Sequence, residues 1–99
     1  MKIIRSGECG NSPKNKFVED YTLALIEKDI DYIVKHSTTD IIIPTIDLPK
    51  CKELVIVFAI SHGRYGSALC RCDDLSISFS YHFKNTTSKE VKGIVVTKS

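Results

Sequence analysis

The chain has 99 residues, 42% of them hydrophobic and 26% charged, and its 14 basic and 12 acidic side chains leave a formal charge of +2. That length supports one domain around one core. The even charge balance, with no basic cluster beyond pairs such as Lys14 and Lys16, excludes the concentrated cationic face that nucleic-acid binding requires.

Met1 to Arg5 is too short an apolar stretch for a signal peptide. A helix is predicted to start at Ser12-Pro13, because serine caps a helix N-terminus and proline suits the first helical position. Phe17, Tyr21, Ala24, Leu25 and Lys28 follow at helical spacing, with Val18 widening the stripe. Asp29 can cap a second, short helix, in which Ile30, Ile33 and Val34 form one face. The Thr38-Thr39-Asp40 cluster ends it.

The remainder reads as β structure. Ile41-Ile42-Ile43 is β-branched and stopped by Pro44, which predicts a short or edge strand. Asp47 to Lys50 is a turn. Glu53 to Ser61 is apolar on both parities, so both faces are expected to be covered. Within it Leu54 to Ile60 is the longest apolar run, far short of the ~20 residues of a membrane helix. His62 to Gly66 turns the chain into a strand over Ser67 to Cys72, and Asp73-Asp74 makes a tight hairpin. From Leu75 to Phe83 the sequence alternates without a break. Leu75, Ile77, Phe79, Tyr81 and Phe83 share the core side, and Ser76, Ser78, Ser80 and His82 share the other. A polar turn over Asn85 to Lys89 leads to a last strand from Val91 to Thr97. The order is α-α-β followed by a four-stranded antiparallel meander, an α+β fold in one domain over residues 1–99.

Few side chains are arranged as chemistry requires. Cys70-Arg71-Cys72 sets two thiols on one face of a strand, with His62 and His82 on neighbouring strands. A structural zinc site uses tighter C-x₂-C knuckles, so the cysteines read as small apolar residues. Cys9 and Cys51 show no complementary pairing. Without a secretion signal the four cysteines read as thiols of a cytoplasmic protein rather than a disulfide framework. The Asn85-Thr86-Thr87 sequon has no meaning there. His36 ends the second helix, where a partly cationic ring suits the dipole. His62 is the histidine placed in a loop, as functional residues often are. Gly63 and Gly66 precede no helix, so they form no phosphate-binding loop. No cofactor or metal is implied.

The stretch from Glu19 to Asp40 resembles the opening of nuclear transport factor 2-like domains, the superfamily that includes polyketide cyclases and ketosteroid isomerases. The matching residues are Tyr21, Asp29, Ile30, Ile33, Val34 and Asp40. The start Cys9-Gly10-Asn11-Ser12-Pro13 and the His62-Gly63-x-x-Gly66 turn are similar to small members from Gram-positive bacteria. The resemblance implies two N-terminal helices held in a strongly curved antiparallel sheet, a cone-like or cystatin-like roll, around a cavity for small apolar ligands. Phe17, Tyr21, Thr45, Asp47, Phe58, Phe79 and Tyr81 are its expected lining.

Ketosteroid isomerases use an Asp base with a Tyr and a protonated Asp as oxyanion donors. The Tyr position falls on Tyr21, the base on Thr45, and the second Asp near Phe79. Two of three parts are therefore absent, and Asp47 is the carboxylate that could substitute. Only Asp47 to Glu53 stands where family members carry a third helix, so the cone should lack one wall. A second subunit is the natural cover, and Ser76, Ser78, Ser80 and His82 are the expected dimer face. Three functions follow as expectations: a non-catalytic domain binding a small apolar ligand or protein partner, a structural dimer with a filled cavity, or an isomerase- or dehydratase-type enzyme using Tyr21 with Asp47 or His62.

Overall fold

The computed structural model describes residues 2–5, 12–87 and 89–99. The expectations placed on Cys9, Gly10 and Asn11 lie outside them. The elements in chain order are β1 (Lys2–Ile4), α1 (Pro13–Glu27), α2 (Ile30–Lys35), β2 (Glu53–His62), β3 (Tyr65–Cys72), β4 (Leu75–Phe83) and β5 (Val91–Lys98). The two helices pack on one face of an open five-stranded sheet in the order β1-β2-β3-β4-β5, an α+β fold.

Both helices begin where their caps predict. Ser12 Oγ accepts from the Asn15 amide with Pro13 in the first turn, and Asp29 Oδ1 accepts from the Tyr32 amide. Lys28 takes the left-handed conformation (φ 59°) and its amide donates to the Ala24 carbonyl, which ends α1 and allows α2 to start at once. α1 buries Phe17, Val18, Tyr21, Ala24, Leu25 and Ile26 against the sheet. The expected face of α2 does not form as a unit. Ile33 is buried, while Ile30 and Val34 are 54% and 60% exposed, because a six-residue helix beside α1 has room for one anchor of that triad.

The four-stranded meander is antiparallel throughout, and the β4 alternation holds. Ile77, Phe79, Tyr81 and Phe83 are buried and Ser78 and Ser80 exposed, with Leu75, Ser76 and His82 half-buried. Four features depart from the sequence expectation. First, the sheet is mixed: β1 runs parallel to β2 with Lys2 opposite Glu53, a pairing too short for periodicity to reveal. Second, residues 41–51 form no strand. Pro44 has no N–H to contribute. This strap is tied to β5 just before it by the bridge between Ser37 and Val91, and near its end by Lys98 Nζ, which donates to the Asp47 carbonyl.

Third, Cys51 and Cys72 are joined in a disulfide, with Cα atoms 5.7 Å apart, within the span such a bond needs. The strap folds back over the end of β3, so the reading of both residues as free thiols is corrected. Fourth, a bulge between Ile56 and Phe58 shifts the β2–β3 register and sets Phe58 opposite Leu69. Ala68 and Cys70, on either side of Leu69, are buried, so Phe58 lies on the side away from the helices rather than in the interior. The outward face of β2 is also uncovered, since Val57 and Ile60 are 42% and 50% exposed. His62 closes β2 opposite Tyr65, and Gly63 and Arg64 alone make the turn, with Gly63 at φ 59°. Among the described residues no helix is long and apolar enough to cross a membrane.

Candidate functional site

The space between helices and sheet is occupied by rings. Tyr21 meets Tyr81 edge-on at 5.4 Å between centroids and Phe17 at 5.9 Å. Phe17 also contacts Phe83 and the His36 ring, and Phe79 stacks on Tyr81. Aromatic pairs at these separations add to the burial of their area. Val18 and Phe83 close over Gly66, where an added Cβ would lie 3.0 Å from Val18 Cγ2 and 3.1 Å from Phe83 Cζ.

The polar tips in this cluster satisfy one another. Ser37 Oγ donates to the Ile33 carbonyl, which leaves it to accept from the Tyr21 hydroxyl at 2.6 Å. Thr22 Oγ1 donates to the Val18 carbonyl at 2.8 Å, so the Tyr81 hydroxyl donates to Thr22. Burial raises the pKa of Tyr21, partly offset by the Ser37 bond. It pushes Tyr81 well above the usual tyrosine range, with the Thr22 bond opposing. Both phenols stay protonated and locked in protein hydrogen bonds, which makes them structural donors. The buried carboxylate of the core, Glu19, lies on α1 and is held by Arg5 Nε at 3.1 Å and Nη2 at 2.8 Å. Arg5 also bonds Asp20, which ties β1 to α1.

The expected lining does not converge. Phe17, Tyr21, Phe79 and Tyr81 meet in the interior. Thr45 and Asp47 are exposed on the strap, and Phe58 is on the opposite face of the sheet. Thr45 instead borders a surface groove of about 410 Å³ between the end of α1, α2 and the strap, with Leu25, Ile30, Ile33, Ile43 and Ile46 as its apolar walls and Lys28 at its rim. His62 is exposed at the β2–β3 turn.

The opposite sheet face carries a different surface. The serine stripe of Ser76, Ser78 and Ser80 runs along β4 and ends at His82, which stacks on Tyr65 at 5.1 Å. Val95 of β5 borders the stripe directly, and Val57 and Ile60 lie beyond β3 on β2, with Val95 and Tyr65 63% and 62% exposed. Sequence reasoning did not find Tyr65, Ser37 or Thr22. Tyr65 sits beside a turn with no periodic partner, and the hydroxyl pairs join residues 16 and 59 positions apart, beyond any local pattern. Cys70 is a buried free thiol, and Cys72, two residues on, is committed to its disulfide, so the C-x-C pair does not offer two thiolates. No family model, no curated protein and no solved structure matches the chain.

Proposed function

We propose that the chain is a non-catalytic interaction domain that pairs with a second copy of itself through the outer face of the β2–β5 meander. The observation that carries this reading is the character of that face: Val57, Ile60, Tyr65 and Val95 stand exposed around a stripe of small serines. Arg71 stands at one end of this face, near the end of β3 and opposite Val55 and Ser76, which leaves the central stretch uncharged. Apolar surface of this kind favours burial, and serines allow a second sheet to approach closely. Four strands of about eight residues present roughly 500 Å² in projection, so two such faces reach the ~1,000 Å² of a specific interface. The filled interior supports the same reading, because its phenols face hydroxyls rather than an acid or base.

Sedimentation over a concentration series tests it. The wild type should sediment at twice its 11.1 kDa chain mass, and Ser78→Arg, which sets a long cation in the stripe, should return the monomer. A monomeric wild type, or a dimer indifferent to Ser78→Arg, rejects the reading.

A second reading is a small apolar ligand in the groove beside Thr45, favoured by Ile30, which lines it and is 54% exposed. The assignment to the nuclear transport factor 2-like superfamily, shortened by its third helix, is supported by the Asp29-capped helix pair leading into an antiparallel meander. The Cys51–Cys72 bond favours an oxidising compartment over the cytoplasm suggested by the sequence.

A further inference from the structure

The open edge of β5 is a second surface, adjoining the outer sheet face. Ser76 and Ser99 exchange both backbone hydrogen bonds at 2.9 Å. In an antiparallel ladder such pairs alternate, so the register of β4 on β5 fixes which groups are used. Gly93, Val95 and Thr97 turn their amides and carbonyls toward β4, while Ile94, Val96 and Lys98 turn theirs away from the sheet. The near end of this edge is capped: the Val91 amide donates to the His36 carbonyl and the Thr38 amide to the Val91 carbonyl, both at 2.9 Å. At the far end Lys98 Nζ donates to the Asp47 carbonyl. Between these ties the strap stands off. Asp40, Ile42 and Pro44 face Lys92, Ile94 and Val95 across a cleft of about 600 Å³ that reaches on to Ser80, His82 and Tyr65, and Ile42 is 85% exposed.

We infer that this cleft takes an extended peptide strand from another protein, added antiparallel or parallel to β5. A row of amides and carbonyls at strand spacing is met in full only by another extended backbone. The cleft walls supply apolar contacts for alternate side chains of the guest. Lys92 and Lys98 bracket the open stretch, so the guest carries acidic residues flanking an apolar core.

One symmetric register of a second copy of β5 is disfavoured at this edge. Symmetric antiparallel pairing centred on Val95 would set Lys92 opposite Lys98 of the second copy, twice, and like charges directly opposite are destabilising. The strap is a poor sixth strand, since Pro44 has no amide hydrogen. The cleft shares Tyr65, Ser80, His82 and Val95 with the outer sheet face, so a dimer formed there competes with the guest for the cleft while the outward amides of β5 stay unpaired.

The probe is an N-acetylated, C-amidated seven-residue peptide of alternating valine and threonine between two terminal glutamates. Amide hydrogen exchange is followed by NMR on the intact, oxidised chain. Saturating peptide should slow exchange at Ile94, Val96 and Lys98 by about tenfold or more while leaving Val95 unchanged. The same peptide N-methylated at alternate residues should give no protection. Lys92→Glu with Lys98→Glu should weaken binding by roughly three- to tenfold. Val96→Pro should abolish it, because that amide takes no part in the β4 ladder. Four results overturn the inference: no protection by the peptide, equal protection by its N-methylated form, amides already protected in the free monomer (the strap then being the sixth strand), or protection that grows with protein concentration alone.

Discussion

Phe79 is 1% exposed beneath the helices, whereas Ser78, one residue earlier, points to the other side of the sheet. Phe79→Ala should therefore cost about 3–5 kcal/mol, as large-to-small core substitutions do. Ser78→Ala should cost under ~0.5 kcal/mol. A urea titration at low protein concentration measures both, and comparable losses would show that the two faces are not energetically distinct. Cys70 gives a residue-scale test against pH. Burial pushes its thiol up from 9.0 to about 12, with the nearby Glu19 charge adding to the shift. The unfolded chain releases that proton near pH 9 and the folded chain only near 12, so this contribution to stability is intact below pH 9. It is lost as the pH climbs between the two values. The buried Tyr21 and Tyr81 act in the same direction. Cys70→Ala should flatten the alkaline decline of the urea midpoint, and an unchanged slope would remove Cys70 as a contributor.

Among the elements, the strap and α2 are the least determined by their own sequence. The strap is held by what it touches: Thr38 on Val91, Asp47 under Lys98, and the Cys51–Cys72 bond across 21 residues. Cross-linking a loop of that length removes unfolded-state freedom worth about 3 kcal/mol. Reduction, or the pair Cys51→Ala with Cys72→Ala, should lower stability by an amount of that order while β3 and β4 keep their pairing. Denaturant midpoints with and without reductant report it, and no change would mean that the bond is not formed in solution. In α2 the single anchor is Ile33. Ile33→Ala should cost about 2–5 kcal/mol, and Val34→Ala should stay within ~0.5 kcal/mol. Equal costs would mean that Val34 is covered in solution.

For the whole molecule, an open sheet with one face on the helices and the other bare ties folding to association. If a second copy covers Val57, Ile60, Tyr65 and Val95, dimer formation stabilises the folded state by mass action. The thermal midpoint should then rise with protein concentration for the wild type and stay constant for Ser78→Arg. A concentration-independent wild type would place the outer face permanently in water.

The features determined by sequence alone are those set within a few residues. They include the Ser12-Pro13 start of α1, the Asp29 cap, the inside–outside alternation of Leu75 to Phe83, and the Asp73-Asp74 hairpin between β3 and β4, with Asp73 at φ 52°. Capping, turn chemistry and strand period depend on neighbours in the chain and need no knowledge of the fold. Of the candidate site, Phe17, Tyr21, Phe79 and Tyr81 were legible because helix and strand periods place them on inward faces. Tertiary structure decided the rest. Lys2 pairs with Glu53, Cys51 finds Cys72, Tyr21 bonds Ser37, and one bulge after Ile56 moves Phe58 to the far side of the sheet. These outcomes depend on contacts between distant segments, whose loop-closure cost is offset only when the whole core assembles, so no local pattern carries them.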